Sequence, residues 1–164
     1  MRLTAVVDSS PLIYLVHLEI AEKLHFYFDT IYVPRMVQRE VNRKSKFRHR
    51  LNKLYSKGVF KQCRIVDRTS VEFLRELDAG EAEALVQASE KGVTVFIGDE
   101  TRARNMSAKR GMRPVGTARL LARMHLEGYV GETEALVRKL KRDLNYRITD
   151  QIVRDAVRVA ADPF

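Results

Sequence analysis

The sequence predicts an α/β fold: a doubly wound parallel sheet flanked by helices, with a helical appendage at the C-terminal end. Three observations lead there. Short β-branched runs alternate with helical patterns along the first two thirds of the chain. Two of those runs, Thr4-Ala5-Val6-Val7 and Val93-Thr94-Val95-Phe96-Ile97, lead into an aspartate that precedes helix-start chemistry, the first directly at Asp8 and the second through Gly98 at Asp99. The last third has helical periodicity alone. In an open parallel sheet, the strand-to-helix handover lies on the carboxyl edge, where ligands bind.

Taken in order, Thr4–Val7 is the first strand. Ser9-Ser10-Pro11 opens a helix, with Ser10 as the expected N-cap, so that Asp8 is left without a capping task. A short helix is expected over Ile20–Phe26 and a strand over Thr30–Val33. Pro34 starts a helix with Val37 and Val41 on one side, continuing helically from Asn42 to Lys57 with Phe47, Leu51, Leu54 and Tyr55 at helical spacing. Phe60–Val66 is a candidate strand, and Thr69-Ser70-Val71-Glu72 reads as a capping box. Asp78-Ala79-Gly80-Glu81 opens an alanine-rich helix ended by Gly92. A strand over Val93–Ile97, a helix from about Glu100 to Gly111 and a short strand at Arg113–Val115 follow. Helices near Ala118–Leu126, Glu132–Leu144 and Asp150–Ala160 close the chain. A length of 164 residues without repeat or linker suits one domain, 1–164, with an α/β core over 1–117 and helices over 118–164.

The net charge of +9 is unevenly spread. Thr30 to Val66 holds eleven Lys or Arg against Glu40 alone, and Thr101 to Leu126 holds seven with no acid. Asp67 to Glu100 holds nine acids and three bases. A bland solvated surface mixes the signs more evenly; a solubility face, or the high charge of a thermophile, is the alternative reading of the basic run. Basic segments around an acidic one suggest a polyanion held against a cation-binding centre. The basic candidates are Arg39, Arg43, Lys44, Lys46, Arg102 and Arg104.

Several chemistries are disfavoured. A single cysteine, Cys63, excludes an internal disulfide and any multi-cysteine zinc site. The histidines at 17, 25, 49 and 125 lack metal-ligand spacing. There is no Walker loop and no G-x-G-x-x-G. Ser10 stands where a phosphoaspartate-type phosphatase would place its second aspartate. No stretch is long and apolar enough for a membrane span, and no signal-peptide core precedes Asp8, so a cytoplasmic protein is expected.

The acids carry competing readings. Asp8, at a strand end, reads as functional. Asp99 could N-cap the helix after it and gains weight beside Asp8. Glu81, three residues after Asp78, fits a capping box and a sheet-edge ligand equally well. Glu40 could pair with Lys44 one turn on. Glu83 and Glu100 are weaker alternatives to Glu81 and read first as exposed helix charges.

In this order the motifs resemble the PIN-domain nucleases, which include the VapC-type toxins. The resemblance runs from Val6 to about Thr117. It rests on Asp8-Ser9-Ser10-Pro11-Leu12, Pro34-x-x-Val37-x-x-Glu40-Val41, Gly80-Glu81-Ala82-Glu83-Ala84, and Gly98-Asp99-Glu100 with Ala103-Arg104. Eighteen residues separate Glu81 from Asp99, the usual family interval between third and fourth acids. The resemblance implies a PIN-like sheet, with Asp8, Glu40, Glu81 and Asp99 as catalytic acids binding Mg²⁺ or Mn²⁺ at its carboxyl edge. It further implies cleavage of RNA, a small antitoxin protein as partner, and a homodimer. The sequence departs from the pattern at two places. Glutamate replaces the commoner aspartate at the third acid, and Ile97-Gly98 offers no hydroxyl before the fourth, for which Ser9, Ser10 and Thr117 are the candidate replacements. A non-catalytic RNA-binding module on the same scaffold is the alternative function.

Overall fold

The computed structural model describes residues 3–63 and 77–164. Two compact units divide the chain, Met1–Val115 and Gly116–Phe164.

The first unit runs β1 (Leu3–Val7), α1 (Ser9–His17), a 3₁₀ turn (Ala21–Phe26), β2 (Phe28–Pro34), α2 (Arg35–Asn42), α3 (Ser45–Ser56), β3 (Phe60–Cys63), α4 (Ala79–Lys91), β4 (Val95–Ile97), α5 (Thr101–Lys109) and β5 (Arg113–Val115). The five strands form one parallel sheet in the order β3-β2-β1-β4-β5. Val6 stands level with Tyr32 on one neighbour and Phe96 on the other. These three side chains share one sheet face and pack with Ala84, Leu85 and Ala88 of α4. Ala5 and Val7, one residue out of phase, belong to the opposite face and are equally buried. Burial on both faces is what a parallel sheet covered by helices requires, and it explains the unbroken apolar runs. The expected α/β class and parallel sheet are therefore observed.

Some expected bounds shift. The long helix expected from Pro34 to Lys57 is broken: α2 stops at Asn42, Lys44 is extended (φ −95°, ψ 102°), and α3 begins at Ser45. The break re-aims the helix so that Val37 and Val41 of α2 and Phe47, Leu51 and Leu54 of α3 are all buried. The strand expected over Phe60–Val66 is seen to Cys63; its remainder and the Thr69 capping box lie outside the described residues. Gly92 ends α4 in the left-handed conformation (φ 63°), as its position after the last periodic residue predicts.

The second unit comprises α6 (Thr117–Leu126), α7 (Thr133–Leu144) and α8 (Asp150–Arg158). Ala118 and Ala122 of α6 pack against Ala156 and Ala160 at the end of α8, small side chains that let the two helices approach closely. Arg123 and Arg119 donate to the carbonyls of Ala161 and Pro163, both at 2.9 Å, satisfying acceptors beyond the end of α8. Among the described residues, no helix is long and apolar enough to cross a membrane.

Candidate functional site

Asp8 is the residue at which β1 becomes α1. Its backbone N–H still belongs to the sheet, donating to the Ile97 carbonyl at 2.9 Å. Its side chain already belongs to the helix: Oδ1 accepts from the Ser9 N–H at 2.7 Å. The expectation that Ser10 caps this helix is therefore corrected, since Asp8 is the N-cap and α1 begins at Ser9. Pro11 falls inside the first turn, where its missing N–H costs no helical hydrogen bond. Asp8 is only 5% exposed. Burial, followed by the negative charges of Glu81, Asp78 and Glu40, raises its pKa to about 8 against the single opposing hydrogen bond from Ser9.

Glu81 is delivered by the first turn of α4. The expected capping box forms in full: the Glu81 N–H donates to Asp78 Oδ1 at 2.8 Å, and the Asp78 N–H donates to Glu81 Oε2 at 3.3 Å. Burial, then the charge of Asp78, with Glu100 and Glu40 behind it, raises the Glu81 pKa to about 7. Capping and membership of the acidic cluster thus coexist in one side chain.

Glu40, from α2, is the third member. Its carboxylate lies over Gly80 in the first turn of α4, so close that a Cβ at Gly80 would stand 2.6 Å from Oε1. The Lys44 ion pair suggested by the sequence does not form, because α2 ends two residues before Lys44. Lys44 and Lys46 instead hold their ammonium groups over the Phe47 ring, at 5.8 and 4.9 Å from its centroid.

Asp99 follows β4, the strand paired with β1. It is half-buried at the exit of β4, and its charge acts on the Tyr14 hydroxyl of α1, whose pKa is raised by burial first and by Asp99 second. It is not the cap of α5, a position occupied by Glu100. Asp8, Glu40 and Glu81 therefore share one electrostatic field with Asp78. Among the described residues, no three Asp, Glu, His or Cys side chains are already drawn to the spacing of a bound ion. The donor set nevertheless suits a hard divalent cation: it is all carboxylate oxygen, desolvated, and mutually repelling until a positive charge enters.

Of the other candidates, Ser9 is buried with its N–H on Asp8, and Ser10 is exposed. Thr117 lies in the second unit, buried at the start of α6. Arg39, Arg43 and Arg102 are exposed on the surface, and Arg104 is half-buried.

Glu83 corrects the sequence reading. It is not an exposed helix charge but is 6% exposed, and its Oε1 accepts from the Met36 N–H at 3.1 Å. Pro34 at the N-cap of α2 has no side-chain acceptor, so a carboxylate 47 residues away serves the first turn instead. The two helices thus exchange carboxylates: Glu83 of α4 caps α2, and Glu40 of α2 lies against the first turn of α4. The missing cap at Pro34-Arg35 was a readable signal that some distant acceptor was needed.

This exchange makes Gly80 a position where stability and activity separate. Gly80→Ala improves helix propensity by up to about 1 kcal/mol. The three atoms nearest to its new Cβ all belong to the movable Glu40 carboxylate. The expected outcome is an unchanged or higher melting temperature together with weakened binding of Mn²⁺, read by titration calorimetry. Unchanged Mn²⁺ binding would remove Glu40 from the cluster.

A parallel sheet in the order 3-2-1-4-5 with acids gathered at the end of its central strand is an open α/β fold with its candidate site on the carboxyl edge. A family model described as a PIN domain matches residues 4–162, and the chain belongs to the PIN-domain family. Among solved structures, it is similar to a PilT N-terminus domain protein from the hyperthermophilic archaeon Sulfolobus solfataricus P2. That match has a TM-score of 0.50 at 13% identity and covers 89% of this chain and 98% of the other. At that identity the likeness concerns the fold alone. No curated protein matches the sequence significantly.

Proposed function

We propose that this protein is a divalent-metal-dependent endoribonuclease acting on single-stranded or structured RNA in the cytoplasm, and that it is the toxin of a toxin–antitoxin pair, working as a homodimer restrained by a small antitoxin protein. The observation that carries the reading is the desolvated Asp8, with the charges of Glu81 and Glu40 raising its pKa further, at the carboxyl edge of a PIN-family sheet.

Asp8, Glu40 and Glu81, with Asp99 at the neighbouring strand end, are the residues that would hold Mg²⁺ or Mn²⁺. A cation bound there supplies Lewis acidity toward a phosphodiester and acidifies water. The chain contributes the rest. The N–H of Ser9 fixes one oxygen of Asp8, and the capping box fixes one oxygen of Glu81, leaving the second oxygen of each for a ligand. The basic segments around Arg39, Arg43, Lys44 and Lys46, and around Arg102 and Arg104, hold the phosphate backbone, positioning RNA without reading its sequence.

Cleavage of a labelled RNA with Mn²⁺, abolished by a chelator, tests the reading. RNA binding without any cleavage would return the non-catalytic module instead. Neutralising Arg39, Arg43, Lys44 and Lys46 one at a time gives a second measurement. Removing a side chain that neutralises one phosphate is expected to shrink the slope of log affinity against log salt by roughly 0.7. Slopes identical to the parent's would remove the basic run from the RNA path.

A further inference from the structure

A second site lies on the same sheet edge, on the far side of α2 from Glu40. A cavity of about 390 Å³ is lined by Arg35, Gln38, Arg39 and Asn42 of α2 and by Gln62 and Cys63 of β3. The four α2 residues are spaced i, i+3, i+4, i+7, a single helix face. Glu40 falls on a different face, so α2 turns a carboxylate toward the acids and a guanidinium–carboxamide stripe toward the cavity. Gln62 and Cys63 pair with Val33 and Pro34 at the carboxyl end of β2, which adjoins β1 and Asp8. The cavity is thus two strands along the edge from Asp8.

Its chemistry is specific. Arg35 and Arg39 form no ion pair with any of the described residues. Burial pushes the Cys63 thiol up to about 12, so it brings no negative charge. Three carboxamides supply both donors and acceptors, and Asn42 Oδ1 is buried with no hydrogen-bond partner among the described residues. An anion alone would satisfy the arginines and leave the amides unused. A carboxylate-bearing peptide offers backbone N–H and C=O groups to the amides and is the competing occupant that the acidic-peptide arm of the test separates. A nucleotide answers both halves, with a phosphate for the guanidiniums and a base edge of mixed donors and acceptors for the amides. The volume suits one unpaired nucleotide and not a duplex.

We propose that this cavity binds one unpaired nucleotide of the RNA substrate, with its phosphate on Arg35 and Arg39 and its base edge read by Gln38, Asn42 and Gln62. The inference rests on the ribonuclease reading for its substrate class and gives that enzyme a means of base preference that the phosphate contacts lack.

The test is equilibrium binding of the four nucleoside 5′-monophosphates, inorganic phosphate and an acidic peptide to the full chain in chelator, where cleavage plays no part. The expected result is a tenfold or larger spread between bases. Gln38→Ala and Gln62→Ala should flatten that spread while retaining the parent's melting temperature, and Arg35→Gln should weaken all four alike. Asp8→Asn should keep the base ranking. Equal affinity for all four bases and for inorganic phosphate would overturn the proposal in favour of a plain anion patch. Tighter binding of the acidic peptide than of any nucleotide, displaced by none of them, would overturn it in favour of a protein partner. A base ranking that survives in a protein with no Mn²⁺-dependent cleavage would sink the nuclease reading and leave the nucleotide site standing.

Discussion

Asp8→Asn is expected to raise the melting temperature of the metal-free protein at pH 8 and to abolish the divalent-dependent RNA cleavage proposed for this protein. The stability half follows from the direction of the Asp8 shift. Its folded pKa, about 8, lies far above the ordinary value of 3.8. The stability it contributes is fully present below the ordinary pKa and is lost as pH rises through the folded one. Melting temperatures of the parent in chelator should therefore fall between pH 5 and pH 8. The asparagine variant should show a flatter profile and exceed the parent at the alkaline end. The capping role does not confound the comparison, because asparagine caps a helix about as well as aspartate. Added Mn²⁺ should lift the parent's melting temperature and leave that of the variant nearly unmoved. A variant less stable than the parent at pH 8 would make Asp8 a structural residue whose charge the fold needs.

Glu81→Gln separates two roles that one side chain performs. The capping box needs an acceptor for the Asp78 N–H, which glutamine supplies as well as glutamate. Cation binding needs the charge. The melting temperature at pH 6 should stay within a degree or two of the parent's. Loss of a partner that merely orients a metal ligand already costs about 10–100-fold, so loss of a ligand's charge should cost more. Glu83→Gln, on the same helix, keeps the acceptor for Met36 and should retain most activity, whereas Glu83→Ala leaves that half-buried N–H without its side-chain acceptor and should cost about 1 kcal/mol of stability. Parent-like cleavage by Glu81→Gln would leave Glu81 as a cap only.

The fold was legible because its signals are local. β-branched runs, the Asp78 capping box and the terminal Gly92 each fix an element within a few residues, and the parallel sheet follows from their alternation. The errors have one physical origin. Whether α2 and α3 are one helix or two depends on what Val41 and Phe47 pack against, which no local window contains. The same holds for Glu83: its place on α4 is plain from the sequence, but its partner, Met36, is 47 residues away. The acids at strand ends could be read one by one, but their grouping came only from the family resemblance, not from their spacing. Asp78, read only as a cap, contributes to the field on Asp8 and Glu81. Grouping is set by side-chain direction at the sheet edge, which spacing does not encode.

The pairing of β1 with β4 has a kinetic consequence. Ala5 stands beside Val95, and Val7 beside Ile97, so the central strand and its neighbour β4 join residues about ninety positions apart. Pairings of such long sequence separation close late and slowly, because loop entropy must be overcome before they bring any gain. The backbone of Asp8 is itself held by Ile97. A chain still emerging during synthesis can form β1, α1 and β2 early, but Asp8 acquires its final geometry only once β4 has been made and docked. The acidic edge is thus among the last features of the first unit to mature, and a truncated or half-folded chain carries the acids without the arrangement that sets their chemistry.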